Sequence, residues 1–108
     1  TAKFCKKYGY RICLDVSHSQ LSATFLKRTL SDYVEQLGQY IAHLHIVDAS
    51  GVGGEGIQIG EGSVDFKQLA LDLRREAPKA SFIPEIWQGH ENGGEGFWVA
   101  LERLEKWF

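Results

Sequence analysis

Between Ala42 and Ser50 the chain reads Ala-His-Leu-His-Ile-Val-Asp-Ala-Ser, and this run limits the possible folds more than any other stretch. It is apolar apart from two histidines at alternate positions and an aspartate near its end, and a glycine-rich loop follows directly. Successive side chains of a strand point to opposite faces, so His43 and His45 share one face while Leu44 and Ile46 share the other. Strands covered on both faces are rich in Val, Ile and Leu, which makes a same-face pair of imidazoles unusual. A single histidine in such a run is more often a hydrogen-bonded core residue than a ligand. Here the balance shifts because two further strand-like runs also end in polar residues.

The first is Tyr10 to Val16, followed by Ser17, His18 and Ser19; the other is Ala80 to Trp87, which contains Pro84 and Glu85. Pro84 cannot donate to a ladder, so it is tolerable only near the end of its strand. Ala2 to Tyr8 reads as the last turns of a helix, with lysines at its C-terminus and Gly9 as its cap. Ser22 to Ile41 has helical periodicity, with a possible break near Ser31 and an apolar stripe of Tyr33, Val34, Leu37, Tyr40 and Ile41. Asp65 is placed to cap a helix from Phe66 to Ala77, closed by Pro78, and a last helix spans Phe97 to Phe108. The glycines between Gly51 and Gly62 are too dense for a regular element and favour close approach of backbone to a ligand. Alternating helix and strand argues an α/β fold with parallel strands near 10–16, 42–48 and 80–87.

Length and charge exclude several classes. The 108 residues suit one small domain, and 44% hydrophobic content can build a core. A net charge of -2 offers no basic footprint for nucleic acid and no polybasic patch for a membrane surface. No apolar run approaches the roughly 20 residues of a membrane span, and no signal-peptide pattern opens the chain. Cys5 and Cys13 read as reduced cysteines of a cytoplasmic protein, with a disulfide between them as the alternative. The chain contains no methionine, and a chain opening Thr1-Ala2-Lys3 is expected to be part of something longer.

Parallel sheets place their binding groups at the carboxyl ends of their strands. Asp15 and His18, His45 and Asp48, and Glu85 all fall there. One carboxylate from each outer strand and an imidazole from the middle one form a mixed oxygen and nitrogen set suited to Mn²⁺, Mg²⁺, Co²⁺ or Zn²⁺. A metal chelated by two adjacent sugar oxygens acidifies the C–H beside the carbonyl and steadies the enediolate, and a nearby carboxylate can move the proton. Asp48 has two readings, a partner orienting His45 or a turn former at the strand end. Glu55, Glu61, Trp87 and His90 are loop residues that would either touch a substrate or stay solvated, with Glu61 the one expected to stabilise its loop.

Four motifs in order carry a resemblance: Cys-Leu-Asp-Val-Ser-His at Cys13–His18, His-Leu-His-Ile-Val-Asp-Ala at His43–Ala49, Ile-Gly-Glu-Gly-Ser-Val-Asp-Phe at Ile59–Phe66 and Pro-Glu-Ile-Trp at Pro84–Trp87. Together they resemble the last three βα units of the xylose isomerase-like TIM-barrel superfamily, which includes sugar isomerases, epimerases and endonuclease-IV-type enzymes. The resemblance implies metal ligands at Asp15, His45 and Glu85, with Glu85 also acting as acid/base. It implies substrate contacts from His18, Trp87 and His90, with His18 taking part in catalysis. The family's further glutamate comes from an earlier strand outside this chain. Gly54 and Gly56 stand where the endonuclease branch has an Asp-x-His pair, which argues against a three-zinc phosphodiesterase. Gly51 stands where ketose 3-epimerases have an arginine, which argues against a simple free-ketose epimerase.

The expected protein is therefore the C-terminal part of a (βα)8 barrel from a metal-dependent sugar or sugar phosphate isomerase or epimerase. A full barrel needs roughly 250 residues, so about five strands would lie outside the chain, and the weakly bound metal would lack a fourth ligand. The alternative is a non-catalytic barrel module or assembly fragment of a larger protein. Open strand edges further predict a homo-oligomer.

Overall fold

The computed structural model describes all 108 residues, Thr1–Phe108, and is built around a three-stranded parallel sheet. Its strands are β1 (Ile12–Asp15), β2 (Ile41–Ile46) and β5 (Ser81–Pro84), in the order β1-β2-β5. The helices are α1 (Ala2–Tyr8), α2 (Val16–Phe25), α3 (Leu30–Leu37), α4 (Phe66–Glu76) and α5 (Glu91–Leu104), with a short 3-10 turn at Gly38–Tyr40. The mixed α/β class and the three parallel strands follow the reading of the sequence. A second, antiparallel sheet of β3 (Asp48–Ser50) and β4 (Gly54–Ile57) does not. No helix is long and apolar enough to cross a membrane.

In register, Cys13, Leu14 and Asp15 of β1 face His43, Leu44 and His45 of β2, and His43 to Ile46 face Ser81 to Pro84 of β5. Period-2 alternation then sorts the faces. Leu14, Leu44 and Ile46 are buried, whereas Cys13 is exposed and Asp15, His43 and His45 are half-buried; Ile41, before the register shift that opens the pairing, is buried out of step with the alternation. The buried side packs with Val34 of α3, Phe66, Leu69 and Leu73 of α4, and Ala100 and Leu104 of α5 into one core. Pro84 is accommodated because β5 is an edge strand with only one ladder to serve.

Several boundaries differ from those expected. The first strand ends at Asp15 rather than Val16, because the Asp15 carboxylate accepts the His18 N–H at 2.9 Å and caps α2. The helical stretch expected over 22–41, with a possible break near Ser31, is the end of α2, a break that falls before Leu30, then α3 and the 3-10 turn. Lys27 takes a left-handed φ of 55°, and Thr29 and Asp32 form a reciprocal capping box that starts α3. The glycine-rich loop contains β3, β4 and their turn, with Asp48 paired to Ile57 and Ser50 to Gly54. Asp65 caps α4 as expected, accepting the Gln68 N–H at 3.0 Å. The last helix begins earlier than Phe97 and is kinked at Asn92, Gly93 and Gly94, all left-handed; it ends at Leu104. Trp107 folds back beyond it to stack on Phe66 at 5.7 Å. Cys5 and Cys13 are both free thiols.

Candidate metal centre and its cleft

Asp15 and His45 are register partners at the ends of adjacent strands. Glu85 comes level with them because its backbone N–H donates to Ile46 O at 3.1 Å, which prolongs the β2–β5 pairing by one step past Pro84. One ligand atom from each of Asp15, His45 and Glu85 lies within 4.8 Å of the others. His45 Nδ1 sits 3.1 Å from Glu85 Oε2. Two atoms sharing an ion at about 2.1 Å can be at most about 4.2 Å apart, so a small side-chain closure would bring all three within bonding distance. Two carboxylates and an imidazole, partly open to solvent, fit a divalent cation that keeps free positions. Cys13 stands beside them, and burial pushes its thiol up; the Asp15 and Glu85 charges add to this against a backbone hydrogen bond from His45.

His18 is placed by the cap that ends β1. Its Nδ1 lies 3.0 Å from Asp15 Oδ1 and its Nε2 lies 2.6 Å from Glu55 Oε2. The hydrogen bond and charge of Asp15, then those of Glu55, hold the imidazole above its ordinary pKa, opposed by slight burial. A carboxylate on each ring nitrogen suits the imidazolium, which donates from both.

The hairpin carrying Glu55 is anchored on both sides. Gly56 N–H donates to Ser17 Oγ at 3.4 Å, and Trp87 N–H donates to Gly56 O at 3.1 Å. Gly56 has φ 71° and approaches Trp87 so closely that a Cβ would stand 3.3 Å from the Trp87 Cβ. The arm therefore bridges the ends of β1 and β5 beside the triad. Beneath it lies a cleft of about 720 Å³, lined by Asp15, His18, Glu55, Glu85, Trp87 and His90 among others.

The structure thus gathers Asp15, His45 and Glu85 as candidate ligands, and His18, Trp87 and His90 around the cleft next to them. Glu61 stays apart; it sits 3.6 Å from Arg103, which also donates to Ile59 O at 2.7 Å, so it does steady its loop. Asp48 is no partner of His45. It is fully buried, and its two oxygens accept the N–H groups of Ala49, Gly60, Gly62 and Val64 at 2.8 to 3.0 Å. The turn-forming reading of Asp48 is the nearer one, extended to the whole loop. His43 instead pairs with Ser81 at 2.8 Å. The sequence pointed to no role for Ser17, and to Glu55 only as a loop residue that would touch a substrate or stay solvated. The one signal for Glu55 was that it is the only charged residue between Asp48 and Glu61.

No family profile matches the chain. No solved structure matches it. Over 65 residues, 60% of the chain, it is 32% identical to the uncharacterized protein MJ1614 of Methanocaldococcus jannaschii, and it spans 24% of that protein's length.

Proposed function

We propose that this chain carries the metal-binding and proton-transfer residues of a metal-dependent sugar isomerase or epimerase, as the C-terminal βα units of a barrel. The observation carrying this reading is the convergence of Asp15, His45 and Glu85 at the carboxyl ends of three adjacent parallel strands. A bare polar sheet face supports it, since parallel sheets are ordinarily covered on both sides. Asp15, His45 and Glu85 would hold a divalent ion, whose Lewis acidity lowers the barrier to removing a proton beside a sugar carbonyl. Glu85 is the group that moves that proton; His45 Nδ1 holds one of its oxygens at 3.1 Å and so restricts its rotamer. His18, its two ring nitrogens held by Asp15 and Glu55, presents its positive charge beside the sugar, and Trp87 shields one side from water.

Titration of the chain with Mn²⁺, read by electron paramagnetic resonance, tests the centre. One site per chain is expected, weakened by about tenfold or more in Asp15→Asn, His45→Ala and Glu85→Gln. Tight binding that survives His45→Ala would remove this site. In any longer protein that contains the chain, Glu85→Gln is expected to lower turnover by orders of magnitude.

A further inference from the structure

The wall of the cleft bears on the charge of its ligand. The chain has 12 Lys and Arg residues, and none of them lines the cleft, whereas Asp15, Glu55 and Glu85 all do. Four of the five arginines are engaged elsewhere, and Arg28 lines a separate pocket with Asp65 and Asp72. Arg11 donates to Tyr40 O and Ile41 O at the far end of the strands. Arg75 pairs with Glu35, Asp72 and Glu76, Arg74 donates to Trp107 O, and Arg103 serves Ile59 and Glu61. The N-terminus of α2 is already taken by the Asp15 carboxylate. A divalent ion and the His18 imidazolium together only balance the three carboxylates, and both His18 ring nitrogens are already held by Asp15 and Glu55, so no uncommitted cationic donor remains for a phosphate.

The same wall suits hydroxyl groups. Glu55 is 61% exposed and gives one oxygen to His18, and a carboxylate can accept about four hydrogen bonds. Its remaining acceptor capacity faces the cleft from the hairpin arm. Trp87, 76% exposed, offers a broad apolar ring on the arm's other anchor, the surface against which the C–H face of a sugar ring packs.

Resting on the sugar isomerase reading above, we propose that the cleft takes an uncharged sugar and rejects sugar phosphates, with Glu55 as the specificity-determining residue. Glu55 acts by accepting sugar hydroxyls and by adding the third negative charge to the wall. Like charges brought together in a recognition site are a means of rejecting a competitor, and their effect weakens with salt.

Saturation-transfer NMR of the intact chain in Mg²⁺, with D-fructose and D-fructose 6-phosphate as probes, tests this. The free ketose is expected to bind about tenfold or more tightly than its phosphate. Glu55→Lys, on an exposed hairpin, is expected to narrow or invert that ratio, while Glu55→Gln weakens binding of the ketose and lessens discrimination. Circular dichroism of both variants checks that they fold. Phosphate bound as well as the ketose, a ratio unmoved by Glu55→Lys, or neither sugar bound while Mn²⁺ occupies the triad would each overturn the proposal. Preference for the free ketose without any Mn²⁺ binding would uphold it and remove the metal reading alone.

Discussion

Asp48 is fully buried, and its two oxygens accept four backbone N–H groups spread over the loop that follows. Gly62 is shaped to this arrangement, since a Cβ there would stand 2.5 Å from Asp48 Oδ1. In Asp48→Asn an amide NH2 would face N–H donors in place of an acceptor. The variant is expected to lose about 3 kcal/mol, read as a lowered urea midpoint at unchanged slope. His18 gives a pH signature. Its folded pKa is raised, chiefly by the Asp15 hydrogen bond, so its stabilising effect is complete below the ordinary histidine pKa. That effect is lost as the pH rises through the folded value. Metal-free chain should therefore become less stable as the pH rises above the ordinary histidine pKa of about 6.5, and His18→Gln should flatten this dependence. The contrast between these residues shows what a sequence can convey. Asp15, His45 and Glu85 were legible because strand alternation and strand ends follow from local pattern. Asp48 was ambiguous because three of its four partners lie 12 to 16 residues away in a loop without periodicity.

The elements differ in the same way. The three parallel strands and α4 could be read because apolar periodicity and a capping aspartate agree, and Phe66, Leu69, Ala70 and Leu73 are all buried as that stripe requires. The break between α2 and α3 was displaced, because Thr29 and Asp32 compete as a cap with the helical propensity around them. Thr29→Ala should cost about 1 kcal/mol, measured by denaturant unfolding, and should leave Mn²⁺ affinity unaltered because the cap is remote from the triad. The hairpin was missed altogether. Glycine has no side chain to alternate, and this ribbon is held by its own β3–β4 pairing and by the backbone of Gly56, which donates to Ser17 Oγ and accepts from Trp87 N–H. That anchoring matters for function, since it ties Glu55 to the ends of β1 and β5.

Across the whole molecule, the core lies on one side of the parallel sheet and the other side carries Cys13, Asp15, His43 and His45 in contact with solvent. Both outer strands also keep one unpaired side. Of these, β5 is the more exposed, with Ser81, Phe82 and Ile83 all open and Ile83 44% accessible. An apolar strand edge of this kind templates pairing with another chain, and a charged side chain on it is the usual means of blunting that tendency. Two copies related by a two-fold axis can each cover the other's β5, a self-complementary contact that closes and does not propagate. The chain on its own is therefore expected to be a dimer at micromolar concentration by light scattering, dissociating on dilution. Ile83→Lys is the decisive variant, because it charges the edge without touching the buried face. It should shift the equilibrium toward monomer while circular dichroism stays the same. A wild-type chain that remains a monomer throughout the concentration range would show that the β5 edge is tolerated bare.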